Sequence, residues 1–161
     1  MNEIVGNIWE GDVDCICITT NGTVTSTGHN IMGGGIALEA TQRKKSISLT
    51  HGTSIRKFGH RFQLLDTWRR PSDGRNIILW AFPTKVNTQS NSDLDTIEDS
   101  LTTLAVVAES MGNLTWGLPR PGCNLGGLDW ETQVKDLVKE YVDDIPNIVV
   151  FHYPQVGVPN G

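Results

Sequence analysis

Strand-like and helix-like patterns of apolar positions alternate along the chain. The β-branched apolar run at 15–19 and the continuous apolar run at 76–82 predict buried strands, and the alternation at 62–68 predicts a half-exposed strand. Apolar residues recur at three-and-four spacing from Leu94 to Met111, which predicts an amphipathic helix. The same patterns predict strands at 4–9, 114–118 and 147–153, and helices that begin near Ile36 and at Trp130.

Polar residues and glycines at the expected helix ends support these boundaries. Ser92 with Asp95 resembles a capping box before the long helix, and Gly112 stands where a helix commonly ends. Asp129 is well placed to cap the last helix. Residues 154–161 follow the last predicted strand as a tail.

The order of the predicted elements indicates a fold class. Strands that alternate with helices predict an α/β protein with three α/β/α layers around a central mixed, largely parallel sheet. A length of 161 residues suits one domain, so residues 1–161 are predicted to form a single domain. Ligands of such sheets bind at the carboxyl ends of the strands, and the chain's glycine-rich loops and the segment after Phe82 stand at ends of that kind.

The composition excludes several classes of protein. Hydrophobic residues make up 38% and charged residues 19% of the chain, as in soluble globular proteins. No apolar run is long enough to cross a bilayer, and no signal-peptide pattern is present at the N-terminus. The chain has three cysteines, Cys15, Cys17 and Cys123, which lack zinc-site spacing and histidine partners, so we expect no metal site and a reducing, cytoplasmic setting. The absence of a long apolar run leads us to expect no membrane partner.

The charge is unevenly distributed. The net charge is −5, but the segment 43–75 carries nine of the thirteen basic residues and two acids, Asp66 and Asp73. One interpretation is a solvated basic face. The other is a surface that contacts a polyanion, such as a nucleic acid, through its phosphates.

Two glycine-rich segments carry the strongest chemical signal. The segment 120–130 follows a predicted strand and runs into a helix, and a second segment, 32–36, precedes another helix. Backbone N–H groups and helix N-termini in such loops hold phosphates without charged side chains. Neither segment has the Walker A or dinucleotide-fingerprint spacing. Two phosphate-binding loops predict a ligand with two phosphates.

Two charged side chains are candidates for the same site. Asp12 lies between the first two predicted strands and is either an ordinary turn residue or an acceptor for the exocyclic amine of a base. Lys85 follows a buried strand and is either solvated, or placed to stabilise negative charge or act as a nucleophile. The four histidines show no spacing that indicates a catalytic triad.

Taken together, the motifs resemble those of a macrodomain. They are Asp12-Val13, the strand ending in Asn21, the loop Met32 to Leu38, Phe82-Pro83-Thr84-Lys85 and Gly122 to Trp130, in the expected order over nearly the whole chain. The resemblance is to the branch that includes DarG-like antitoxins and terminal ADP-ribose glycohydrolases. It implies the three-layer macrodomain fold, binding of ADP-ribose, and in many members hydrolysis of ADP-ribosyl linkages.

The resemblance assigns a role to each motif. Asp12 and Val13 would contact the adenine, and Asn21 the distal ribose. Lys85 would be the catalytic residue, near the anomeric carbon of that ribose. The distal ribose and one phosphate would be wrapped by Met32, Gly33, Gly34, Gly35 and Ile36, and the diphosphate held by Gly122, Cys123, Asn124, Leu125, Gly126, Gly127 and Leu128.

Two departures from the family's pattern keep the reaction open. Protein-directed relatives carry an aspartate where this chain has Gly126, and DarG-like relatives carry a basic and aromatic run where it has residues 86–89. The leading hypothesis is a monomeric hydrolase, without cofactor, that cleaves the glycosidic bond at the distal ribose of ADP-ribosylated DNA, protein or small conjugates. The alternatives are a non-catalytic binder of ADP-ribose or a nucleotide signal derived from it, and an ADP-ribose 1″-phosphate phosphatase.

Overall fold

In the described part of the chain, six strands form one mixed sheet. The computed structural model describes residues 1–153, so the tail predicted at 154–161 lies outside them. The strands are β1 (Asn2–Val5), β2 (Cys15–Asn21), β3 (Gln63–Arg69), β4 (Asn76–Lys85), β5 (Trp116–Pro119) and β6 (Ile148–His152). Their order is β1-β6-β5-β2-β4-β3, and each neighbouring pair is parallel except β3 with β4.

Helices cover both faces of the sheet. They are α1 (Gly35–Arg43), α2 (Ile47–Phe58), α3 (Leu94–Ser110) and α4 (Lys135–Val142). Apolar residues of α1 and α2 pack in one core cluster and those of α3 and α4 in a second, one on each side of the sheet. The predicted three-layer α/β/α architecture is confirmed. No helix within residues 1–153 is both long and apolar enough to cross a membrane.

The first four residues of the central strand β2 are apolar because both faces of the strand are covered there. Cys15 and Cys17 pack in the cluster with α3 and α4, whereas Ile16 and Ile18 pack in the cluster with α1 and α2. All four side chains are fully buried. Successive side chains of a strand point to opposite faces, so the part of a strand that is covered on both faces is apolar at consecutive positions.

The first strand is shorter than its pattern predicts. The apolar run suggests a strand at 4–9, but β1 ends at Val5 and a 3-10 turn spans Ile8–Glu10. The Asn7 carboxamide accepts a hydrogen bond from the backbone N–H of Trp9 at 3.0 Å and so caps this turn. The prediction was wrong because this side-chain cap turns the chain away from the sheet.

Helix α2 has no counterpart among the predicted elements. Its sequence is rich in Ser, Thr, His and Gly, which are weak helix formers. Tertiary contacts hold it in place. A Cβ at Gly52 would collide with the backbone carbonyl of Gly28, so this glycine permits close packing of the helix against the loop after β2. Buried His51 stands beside it.

The helix caps agree in part with the sequence. The α3 cap is Asp93 rather than the predicted Ser92, because the Asp93 carboxylate accepts from Thr96 N–H at 3.2 Å. Asp129 caps the last helix as predicted, accepting from Thr132 N–H at 2.8 Å. The first turn of that helix, Trp130–Val134, is π-helical before α4 begins.

Candidate functional site

A cavity of about 500 Å³ lies at the carboxyl ends of the parallel strands. Parallel strands end at one edge of a sheet, and the loops that leave them there enclose a crevice. The segment after β1, the ends of β2, β4, β5 and β6, and both glycine-rich segments line it. The site predicted from the order of elements is therefore a real cavity.

The cavity has two distinct ends because it follows the sheet edge. At the β1 and β6 end it is lined by Asn7, Ile8 and Phe151. At the β4 end it is lined by Asn21 and Lys85, which are register partners on β2 and β4. Both glycine-rich segments also line the cavity, and one of them follows β5, the strand between β6 and β2 in the sheet. Such a shape suits an elongated ligand whose phosphates lie at its middle.

The loop after β5 turns its backbone into the cavity. Residues Gly122, Cys123, Asn124, Leu125 and Gly126 line the cavity, but Gly127 and Leu128 do not. Gly122 has φ of 75°, and a Cβ there would lie 2.6 Å from Ile97 Cδ1, so both backbone conformation and space require glycine. Burial raises the pKa of the Cys123 thiol to about 11, so this side chain is an uncharged neighbour.

The other glycine-rich segment exposes the start of α1. Gly33, Gly34, Gly35 and Ile36 line the cavity, whereas Met32 is buried in the core. Gly34 is the N-cap and has no side chain to bond the first-turn N–H groups, so these remain available to an anion. The two segments touch, because Leu125 Cδ1 lies so close to Gly34 that a Cβ there would collide with it.

Lys85 is half-buried at the end of β4, and among residues 1–153 its ammonium has no hydrogen bond or ion pair. Thr84 and Thr88 line the cavity beside it. Glu39 on α1 is the one carboxylate among the cavity-lining residues of the described chain. The same residues, 1–153, contain no group of three potential metal ligands.

Asn21 organises the loop that follows β2. Its Nδ2 donates to the Ile31 carbonyl at 2.8 Å, and its Oδ1 accepts from Thr23 N–H at 2.9 Å. Behind it, Asn30 Nδ2 donates to the Asn21 carbonyl at 2.9 Å and to the Thr23 carbonyl at 2.8 Å. Asn21 therefore lines the cavity on a loop that its own side chain holds in place.

His51 supports this network from α2 and was missed by the sequence patterns. Asn30 Nδ2 donates to two carbonyls, so the atom of Asn30 that lies 2.8 Å from His51 Nδ1 is its oxygen, Oδ1. Because a carboxamide oxygen can only accept, His51 Nδ1 carries the proton. Burial, followed by the nearby His60, lowers the pKa of His51 to about 4. Its neutral ring fits this role. No spacing signal along the chain links residues 21, 30 and 51.

Asp12 and Val13 are not brought to the cavity. The Asp12 side chain is 99% exposed, and its carboxylate is paired with Arg75 at 2.8 Å. Val13 is buried in the core. The structure instead places Asn7 at this end of the cavity, on the turn that directly follows β1. The sequence signal for Asn7 was a polar residue just after the first strand, and it was missed because the predicted strand extended to residue 9.

Much of the basic segment 43–75 is engaged within the protein. The Arg43 guanidinium lies 4.4 Å from the centre of the Trp9 ring. Arg70 pairs with Asp73 at 2.8 Å, and Arg75 pairs with two aspartates. Lys44 lies 3.6 Å from Asp66. The excess charge available to a polyanion is therefore smaller than the composition indicates, and contact with nucleic acid stays a prediction.

Gly126 is fitted to its neighbour. A Cβ at this position would lie 3.0 Å from Ser92 Cβ and closer still to Ser92 Oγ. The Ser92 N–H donates to the Gly126 carbonyl at 2.9 Å, which fixes the two backbones together. A side chain at position 126 would therefore require Ser92 to move.

Several solved structures have the same fold as this chain. No family model matches the sequence, and no curated protein matches it either. The macrodomain of Thermus aquaticus DarG superposes with a TM-score of 0.72 at 24% identity, covering 96% of this chain and 97% of its own. The macrodomain of Mycobacterium tuberculosis DarG gives 0.76 at 23% identity over 96% and 97%. The chain has the macrodomain fold.

A third similar structure contains a ligand. Thermosipho africanus DarTG, in complex with ADP-ribose, matches with a TM-score of 0.75 at 21% identity, covering 95% of this chain and 42% of that chain. At these identities the similarity concerns the fold. Any proposal for function therefore rests on the residues that line the cavity.

Proposed function

We propose that this macrodomain binds ADP-ribose and hydrolyses the glycosidic bond at the distal ribose of ADP-ribosylated DNA, protein or small conjugates. The single observation that carries the proposal is the arrangement of the cavity, which is lined by two glycine-rich segments with backbone N–H groups and, at one end, by Lys85. The ADP-ribose named for the Thermosipho africanus structure supports the choice of ligand.

The ligand's parts match the two ends of the cavity. The diphosphate would lie between the α1 N-terminus at Gly34 and the loop at Gly122, where backbone N–H groups stabilise negative charge. The adenine would lie beside Phe151 and Asn7, and the distal ribose beside Asn21 and Lys85. Asp12, expected from its motif to contact adenine, has no part in this arrangement.

Lys85 would act at the anomeric carbon of the distal ribose. In one route its neutral amine forms a bond to C1″ while the bond to the leaving group breaks with its electron pair. Water then hydrolyses the adduct and returns the free amine. In the other route water attacks C1″, and the Lys85 ammonium stabilises or protonates the departing group. Both routes release ADP-ribose and the unmodified acceptor.

The test is release of ADP-ribose from modified DNA, modified protein and small conjugates by the native protein and by Lys85→Ala. We expect the variant to lose about a hundredfold or more in rate, as for removal of a catalytic nucleophile or charge-stabilising group. Lys45→Ala, an exposed lysine outside the cavity lining, is the matched control. Equal turnover by native protein and Lys85→Ala on all substrates would remove Lys85 from the mechanism.

A second candidate function is binding without turnover. Two observations favour it: position 126 is a glycine packed against Ser92 and offers no carboxylate, and Glu39 is the one acid that lines the cavity in residues 1–153. Calorimetric binding of ADP-ribose without turnover of any substrate would select it. Release of inorganic phosphate from ADP-ribose 1″-phosphate would instead indicate the phosphatase alternative.

A further inference from the structure

Ser92 is a buried residue of the cavity lining whose hydroxyl has no hydrogen-bond partner within residues 1–153. The residue is 8% exposed and directly precedes Asp93, the N-cap of α3. Its backbone N–H is bonded, because it donates to the Gly126 carbonyl at 2.9 Å. A hydroxyl that is removed from water without a new hydrogen bond is costly, so an acceptor on a ligand would offset that cost.

The Ser92 hydroxyl points toward the loop after β5 and stays accessible from the cavity. A Cβ at Gly126 would lie nearer to Ser92 Oγ than to Ser92 Cβ, so the hydroxyl is the part of the side chain that approaches this loop. In the described residues, the fully enclosed side-chain polar atoms without a partner are four tryptophan nitrogens and His51 Nε2. Ser92 Oγ is not among them, so it keeps a surface open to the cavity that Ser92 lines.

Backbone contacts place Ser92 between this loop and the strand end that carries Lys85. On one side, Ser92 is bonded to the Gly126 carbonyl through its N–H. On the other side, the N–H of Asp93 donates to the Thr84 carbonyl at 2.9 Å, and Thr84 directly precedes Lys85. In the sheet, β2 lies between β4 and β5, the strand that leads into the loop. Ser92 therefore lies on the Lys85 side of the loop.

This position determines which ligand group the hydroxyl can meet. With the adenine beside Phe151 and the distal ribose beside Lys85, the phosphate on the Lys85 side of the loop is the one attached to the distal ribose. The oxygens of an ionised phosphate accept hydrogen bonds, and a serine hydroxyl supplies one donor. A hydrogen bond to a charged group also contributes more than one between neutral groups.

We propose that Ser92 binds the phosphate next to the distal ribose by donating a hydrogen bond from its hydroxyl. This inference rests on the proposed binding of ADP-ribose. It adds a side-chain donor to a phosphate site that the two glycine-rich segments otherwise form with backbone groups. It also predicts a preference for ligands with two phosphates, because AMP carries only the phosphate attached to the adenosine.

The test measures the affinities of ADP-ribose and AMP for the native protein and for Ser92→Ala by calorimetry. Ser92→Ala should bind ADP-ribose at least about tenfold more weakly, since it loses a hydrogen bond to a charged group, and should bind AMP within about twofold of the native protein. Without ligand, its urea midpoint should equal or exceed the native one, because the Ser92 hydroxyl has no partner in the described residues.

Ser90→Ala is the matched control in the same segment. The Ser90 Oγ already donates to the Asn87 carbonyl at 2.9 Å, and Ser90 is outside the cavity lining. This variant should keep the native affinity for both ligands, so a general disturbance of the segment before α3 would be recognised by its effect here.

The outcomes separate this inference from the proposed function. A loss confined to ADP-ribose, with a urea midpoint no lower than the native one, supports the inference. Native affinity of Ser92→Ala for ADP-ribose overturns the inference and leaves the proposed binding of ADP-ribose intact. An equal loss for both ligands, or a loss accompanied by a lower urea midpoint, assigns Ser92 a structural role and also overturns it. If the native protein does not bind ADP-ribose, the proposed function is wrong and the inference fails with it.

Discussion

Replacing Gly126 by alanine should destabilise the protein through one defined contact. The added Cβ would lie 3.0 Å from Ser92 Cβ and closer to Ser92 Oγ, whereas unstrained carbon contacts lie at about 3.5–4.0 Å. The residue is buried, and the 2.9 Å hydrogen bond from Ser92 N to Gly126 O prevents the two backbones from separating freely. Overpacking of this kind costs about 1–3 kcal/mol.

The assay is urea unfolding followed by the fluorescence of the five tryptophans. A loss of about 2 kcal/mol, with an m-value of roughly 2 kcal/mol/M, lowers the midpoint by about 1 M. Ser92→Gly removes both colliding atoms, so the double variant Gly126→Ala/Ser92→Gly should recover most of the loss. The cycle should give a coupling of at least about 1 kcal/mol.

Gly33→Ala is the matched control in the other glycine-rich segment. No atom lies within 4 Å of the Cβ position at Gly33, so its stability should change by less than about 0.5 kcal/mol. An unchanged midpoint for Gly126→Ala, or no recovery in the double variant, would refute the steric reasoning. Such a result would mean that Ser92 yields to a side chain at position 126 at little cost.

Further predictions concern the loop contact and two pH dependences. Leu125→Ala removes a 61% exposed side chain that touches Gly34, so calorimetry should show roughly 2–10-fold weaker ADP-ribose binding with an unchanged urea midpoint. Arg70 holds the pKa of Asp73 at about 2, below its ordinary 3.8, so native stability that depends on this pair is present above pH 3.8 and is lost as the pH falls toward 2. Asp73→Asn should show a smaller fall of the urea midpoint over that range, and an equal fall in both proteins would contradict the role of the pair. Burial lowers the pKa of His51 and His60 from 6.5 to about 4, so the unfolded chain binds more protons in this window and stability should decrease from pH 6.5 to pH 4. His60→Gln should flatten that decrease, and a native profile that is flat from pH 6.5 to 4 would show that these rings are not held neutral.

Sequence patterns predicted the elements whose cause is local. Residues 15–18 of strand β2 are covered on both faces and are apolar at each position, and that run is visible in the sequence. The glycine-rich segments at Gly34 and Gly122 were also predictable, because only certain residues allow backbone groups to face a ligand. These features account for the fold class and for the middle of the cavity.

The features that sequence patterns missed depend on contacts between distant residues. Helix α2 is formed by weak helix formers and is held by packing of Gly52 against Gly28. Asp12 looked like a site residue, but it pairs with Arg75, and nothing in the local sequence indicates that pair. Asn7 was missed because one side-chain cap decides where β1 ends. Each case is decided by tertiary structure rather than by local propensity.

The position of β1 at the sheet edge determines when the cavity can be completed during synthesis. In residues 1–153, β1 pairs with β6 alone, Asn2 opposite Val149, and the N-terminal ammonium bonds Asp143 at 2.6 Å. Closing so long a loop is a late and slow event in folding. The strands that carry Lys85 and Asn21 can pair much earlier. A nascent or truncated chain that lacks β6 would therefore have the Lys85 end of the cavity without the end that Phe151 lines.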